Sequence, residues 1–281
     1  MTRYGMKLRC LMLALLAAGL MPAQKLSNPF FVFDNGTGRD QKVPLEEQAA
    51  LVKRTGYAGL GYTGALRIPE MLQALESRGL KMFSIYVAVR VDGVRPSYDA
   101  ALPEAIRQLK GHGTAIWLTV QGTAPDGEER AVRMVREVAD MAAESGLRVV
   151  LYPHLGLYVG RIEDALRIHK LAERANVGVS FNLTHFLAVK DEVNLDQRLR
   201  EALPYLELVS INGAEHEGGW DRLIQPLDRG AFDVFGFLQK LTAAGYTGPI
   251  GLQCYRVPGD IEDNLRRSMA AWRGFAVRMG R

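Results

Sequence analysis

Four short segments of the chain could do chemistry. They are Tyr152-Pro153-His154, Asn182-Leu183-Thr184-His185, Asn212 in a Ser-Ile-Asn-Gly run, and Gln253 in Gly-Leu-Gln-Cys-Tyr. Each follows or ends a short apolar run of strand length. The groups on offer are imidazoles, carboxamides and a phenol, with no carboxylate in any of the four. Such a set suits hydrogen bonding to a neutral polyol. It suits a divalent cation poorly, because hard cations prefer anionic oxygen. A carboxamide has no protonation change near neutrality, whereas an imidazole does. His154 and His185 are therefore the candidate acid/base groups.

The elements that must position them alternate along the chain. Apolar runs lie at 30–33, 58–62, 80–89, 114–120, 147–152, 177–182, 206–211 and 249–255. Between them lie stretches with helical spacing: 45–54, 69–78, 102–109, 128–144, 162–174, 195–203, 232–244 and 261–277. Several helices stop at a glycine, as in Thr55-Gly56 and Ser145-Gly146, which is the left-handed C-cap pattern. Eight strand–helix units in this length predict an α/β fold, a single (β/α)8 barrel. The rival is a doubly wound open sheet. It would show a Gly-x-Gly-x-x-Gly turn after its first strand, and Gly36-Thr37-Gly38 lacks the third glycine.

In such barrels chemistry gathers at the C-terminal strand ends. Those ends carry Asp34 and Asn35, Tyr62, Tyr86 and Arg90, Gln121 with Trp117 deeper, and Tyr152 with His154. They continue with Asn182 and His185, Asn212 with Glu215, His216 and Trp220, and finally Gln253 with Tyr255. Asp34, Tyr86, Gln121, Tyr152, Asn182, Asn212 and Gln253 are the expected substrate-binding set. Each has a plainer reading. Asp34-Asn35-Gly36 could be an Asx turn, and His216 could belong to a solvated loop. Asn182 and Gln253 could be internal hydrogen-bond partners within the barrel.

The eight units, the Gly-Tyr-x-Gly turn at 56–59, the Asn-x-x-His at 182–185 and the single polar residue Gln253 resemble the xylose isomerase-like barrels over residues 28–275. That family includes sugar isomerases, ketose epimerases and apurinic endonucleases. The resemblance implies a carbohydrate ligand and, in the epimerases, a divalent metal held by two glutamates, an aspartate and a histidine. Matched onto this chain, Tyr152 and Gln253 stand where the glutamates belong, Asn182 replaces the aspartate and Asn212 stands near the histidine. His185 is retained. The expectation is therefore no metal ligand set and no cofactor, with a divalent metal left open if Asp34, His154 or His185 rearranges.

Residues 1–23 stand apart. Arg3, Lys7 and Arg9 precede an uncharged apolar run from Leu11 to Met21, which reads as a signal peptide and is too short for a membrane span. An uncleaved anchor is the alternative. Cleavage leaves 24–281 as one barrel domain, secreted or periplasmic, with no membrane span. It removes three basic residues and no acidic one, so the formal charge falls from +4 to +1. A near-neutral chain lacks the basic footprint of a nucleic-acid binder. Cys254 is then the sole thiol, and no internal disulfide is possible. Two functions remain open: an exported isomerase or epimerase acting on a neutral sugar through histidine, or a catalytically silent carbohydrate-binding barrel. N-terminal sequencing of protein recovered outside the cytoplasm is expected to start near residue 24. A chain still beginning at Met1 inside the cytoplasm would contradict export and reopen phosphorylated substrates.

Overall fold

A computed structural model describes residues 25–93 and 97–280. The expected signal segment lies outside the described residues. Eight parallel strands close into one barrel in sequence order: β1 (Phe30–Phe33), β2 (Gly59–Thr63), β3 (Lys81–Arg90), β4 (Ala115–Gln121), β5 (Val149–Leu151), β6 (Val177–Asn182), β7 (Leu206–Ile211) and β8 (Ile250–Leu252). Closure is direct, with Phe30, Phe31 and Val32 of β1 in register with Ile250, Gly251 and Leu252 of β8. The strands are apolar nearly throughout because both faces are covered, by the barrel interior and by the helical ring.

The helical ring comprises α1 (Leu45–Thr55), α2 (Ile68–Glu76), α3 (Leu102–Gln108), α4 (Gly127–Glu144) and α5 (Ile162–Ala172). It continues with α7 (Leu195–Ala202), α9 (Val234–Ala243) and α10 (Ile261–Met279). Helix α1 shows how the sequence sets such an element. Glu46 and Glu47 sit in its first turn and Lys53 and Arg54 in its last, matching the helix dipole. Gly56 then ends it at φ 86°, a conformation glycine adopts without a Cβ penalty. Two short helices were not expected: α6 (Leu183–Ala188) directly after β6, and α8 (Trp220–Leu223) in the long connection after β7. At six and four residues they are too short to give a periodic pattern.

Two cores result. The larger packs helices on the outside of the barrel, with Leu60, Ile68, Met71, Leu75, Ile85 and Ile106 among its fully buried members. The smaller fills the barrel itself with Phe31, Phe33, Phe83, Trp117, Val150, Tyr152 and Leu208. Its rings form a stack: Phe33 lies on Trp117 at 4.6 Å and Trp117 on Tyr152 at 3.9 Å, each within 11° of parallel. Glycines on the flanking strands make room for β1. A Cβ at Gly61 would stand 2.5 Å from Phe33, and one at Gly251 would stand 2.6 Å from Phe31. Overpacking of a filled interior costs about 1–3 kcal/mol. Gly251→Val is expected to lose at least that much in denaturant unfolding. A stability equal to wild type would show that the interior is loosely filled.

Candidate functional site

The stacked rings form the floor of a cavity of about 320 Å³ at the C-terminal mouth of the barrel. Asp34, Tyr86, Tyr152, His154, His185 and Gln253 all line it, so both candidate histidines and four of the seven expected binding residues converge. Arg39, Asn35, Thr63, Trp117, Trp220 and Tyr255 line it as well.

The β1 side is ionic but internally paired. Asp34 sits in a 3-10 turn directly after β1 and is 1% exposed. Its carboxylate accepts from Thr63 N at 2.7 Å, Thr63 Oγ1 at 2.8 Å and Arg39 Nη1 at 3.1 Å. Burial pushes the Asp34 carboxyl upward, against the Arg39 charge and the two Thr63 hydrogen bonds, which pull it down. Arg39 also pairs with Asp40 at 2.8 Å, so this guanidinium is shared by two carboxylates.

The β8 side is an oriented amide. Gln253 Oε1 accepts from Asn35 Nδ2, from Cys254 N at 3.0 Å and from Tyr255 N at 3.1 Å. With its oxygen held on three donors, Gln253 turns its –NH2 toward the Tyr152 phenol and the cavity. Next to it, burial pushes the Cys254 thiol up to about 12, so this cysteine stays protonated and inert.

The β5–β6 wall carries the titratable groups. Tyr152 Oη accepts from Asn182 Nδ2 at 2.8 Å and meets His185 Nε2 at 3.0 Å. His185 Nδ1, the other ring nitrogen, is buried without a partner. Burial, reinforced by Tyr86, drives the Tyr152 phenol well above its ordinary value. His154 lies against His185 with ring centroids 3.8 Å apart, and the edge of Trp220 meets His185 at 5.4 Å. Burial depresses both imidazoles, and the neighbouring His154 depresses His185 further. His154 Nδ1 stands 2.9 Å from the Leu155 carbonyl, an acceptor only, so Nδ1 carries the proton and Nε2 is the basic nitrogen.

Three expected binding residues lie elsewhere. Asn182 is the N-cap of α6: its Oδ1 accepts from His185 N at 3.1 Å, and its Nδ2 is on Tyr152. It orients the site without lining it. Asn212 is fully buried and donates to Gly213 O at 2.7 Å and Leu223 O at 2.6 Å, while Thr184 Oγ1 donates to its Oδ1. It ties β7 to α6 and α8, the two helices that the sequence reading lacked. Gln121 donates to Thr119 Oγ1 at 3.2 Å and lines a neighbouring cleft. His216 is paired with Glu192 at 2.9 Å, and neither it nor Glu215 lines the cavity. Arg39 and Thr63 were missed. Asn35, Trp117 and Trp220 had a usable signal, their place at or near strand ends.

The fold and the pocket define a (β/α)8 barrel with its candidate site at the C-terminal strand ends. The chain belongs to the xylose isomerase-like TIM barrel family, whose model matches residues 51–275. Solved structures agree on the fold. A 3-keto-D-glucoside 4-epimerase from E. coli superposes with a TM-score of 0.69 at 19% identity, covering 87% of this chain and 98% of that one. A D-psicose 3-epimerase from Clostridium cellulolyticum H10 gives 0.70 at 15% identity, covering 90% and 99%. A family 2 AP endonuclease from Brucella melitensis gives 0.67 at 18% identity, covering 85% and 96%. No curated protein matches the sequence.

The metal implied by the family resemblance does not fit these residues. Asn182 and Asn212 have their oxygens on protein donors, and so does Gln253. The phenol of Tyr152 stays neutral. Among the described residues no cluster of three or more His, Cys, Asp or Glu could hold an ion. Gently purified protein is expected to carry well under one equivalent of divalent metal by elemental analysis, and its melting temperature should not move with a chelator. One equivalent lost on His185→Ala would reverse this assignment.

Proposed function

We propose that the protein acts outside the cytoplasm on a neutral sugar, moving a proton with His154 and no metal. The observation that carries this is the His154–His185 pair: two buried imidazoles in contact on the cavity wall, with centroids 3.8 Å apart and planes tilted by 38°. His154 Nε2 is the base. His185, tied to Tyr152, holds the ring beside it in place, and burial disfavours a positive charge on either ring. Both imidazoles stand on the β5–β6 side, and the opposite β1–β2 side offers a carboxylate already bound to three donors. Removal and return of a proton on one face is isomerase chemistry: the proton leaves the hydroxyl-bearing carbon beside a carbonyl and returns to the carbonyl carbon, while the hydroxyl proton passes to the former carbonyl oxygen, so that the carbonyl and the hydroxyl exchange places. Two-sided epimerisation needs a second free base across the sugar. The neighbouring folds of sugar epimerases support the ligand class.

Several features support an uncharged ligand. Among the described residues Arg39 is the one Lys or Arg in the lining, and its pairing with Asp34 and Asp40 disfavours a phosphate. Tyr86, Trp117, Trp220 and Tyr255 offer ring faces to C–H groups. Gln253 offers its –NH2, and Tyr86 and Asp34 complete the polar contacts. A silent carbohydrate-binding barrel is the second reading. It is favoured by the use of Asn182 and Asn212 as structural ties.

Loss of a positioned base costs ~10²–10⁴-fold in rate. His154→Ala is expected to lose that much isomerisation of neutral monosaccharides while keeping sugar affinity. The pH profile has a definite sign. Both imidazoles are depressed, so the basic form persists below the ordinary histidine pKa of about 6.5. The plot of kcat/KM should stay flat down through that value and fall only at more acid pH. A midpoint at or above it, or normal turnover by His154→Ala, would remove His154 from the chemistry. Binding without turnover across a broad sugar panel would leave the second reading standing.

A further inference from the structure

Beside the cavity lies a second, more open cleft of about 510 Å³. Thr63 and Tyr86 line both, so the two spaces share a wall. We propose that this cleft receives the second unit of a reducing disaccharide whose first unit occupies the cavity. The inference rests on the neutral-sugar reading and extends it from a monosaccharide to a linked sugar.

The cleft is built by the length of one strand. At ten residues β3 outruns every other strand of the barrel. Its last three residues stay in register with β4: Ala88 with Thr119, Val89 with Val120, and Arg90 with Gln121. The chain then folds back, with an antiparallel bridge from Val89 to Tyr98 and Arg90 N donating to Ser97 O at 2.9 Å. This extension stands above the mouth as a hydrogen-bonded backbone wall.

Side chains alternate along a strand, so Tyr86, Ala88 and Arg90 share one face. Tyr86 borders the cavity, Arg90 lies farther out, and both Ala88 and Arg90 line the cleft. A small residue between the two leaves the passage open. Arg90 is held as a planar fork by Asp92, with Nε and Nη2 each 3.1 Å from its carboxylate, and Nη1 lies 3.3 Å from Gln121 Oε1. An oriented guanidinium next to a carboxamide can donate to adjacent hydroxyls of a sugar ring. Tyr98 adds a ring face. The position of Gln121 then makes sense: it is a strand-end amide serving the second unit instead of the first.

Calorimetry with full-length mature protein tests this. The probes are D-glucose against cellobiose and maltose, and D-galactose against lactose. At least one disaccharide is expected to bind about tenfold tighter than its monosaccharide, the worth of one or two hydrogen bonds to a charged donor. Arg90→Ala, on an exposed side chain, should erase most of that gain and leave monosaccharide affinity in place. Ala88→Phe should do the same by closing the passage. Monosaccharide binding with no disaccharide gain in the wild type would overturn the second cleft alone. So would a gain that survives both variants. Absence of binding to any of the five sugars would overturn the neutral-sugar reading beneath it.

Discussion

The stack of Phe33, Trp117 and Tyr152 is the interaction on which the site depends. It fills the barrel from β1 through β4 to the end of β5 and brings the phenol oxygen to the cavity floor. Aromatic pairs contribute about 0.5–1.5 kcal/mol each beyond their burial. The larger effect is geometric. A ring held face to face at 3.9 Å has little freedom, so Tyr152 Oη is a fixed point. Asn182 and His185 are both oriented on it, and Asn182 in turn caps the helix that carries His185. Trp117 is itself anchored, donating from Nε1 to Ser180 Oγ at 2.8 Å.

Around that point the site is organised without free charge. Its one carboxylate and one guanidinium satisfy each other, its imidazoles are held neutral by burial, and its amides are aligned by backbone groups. Neutral donors and acceptors lose less on desolvation than ions do. They also bind a polyol without demanding a counterion. The cost is chemical reach, because burial leaves few groups able to change protonation near neutrality.

The fold was legible because parallel strands and amphipathic helices carry different periods, and eight alternations leave few architectures. Tyr152, His154, His185 and Gln253 were legible because each sits within a few residues of a strand end. Asn182 and Asn212 were misplaced for a local reason. A side chain just past a strand can enter the mouth or cap the next helix, and the choice here was set by α6, a helix of six residues. Arg39 gave no signal, since a tight turn brings it back over Asp34 from what reads as a polar connection. Thr63 lies beyond the apolar run of its strand and offers only a hydroxyl and an amide hydrogen.

The same stack bears on evolutionary reversibility. Suppose a descendant of this chain gained an advantage from a metal-dependent site. A glutamate at 152 would be its first step. That single replacement would remove the terminal ring from beneath His185, unseat the amide of Asn182 that rests on the phenol, and bury an unpaired carboxylate between them. Each later substitution would help only after the others were present. Phe33 and Trp117, neither of which would bind the ion, would have to change shape as well. Such a route is thus uphill at its first step, so the interior packing preserves the present arrangement of the mouth.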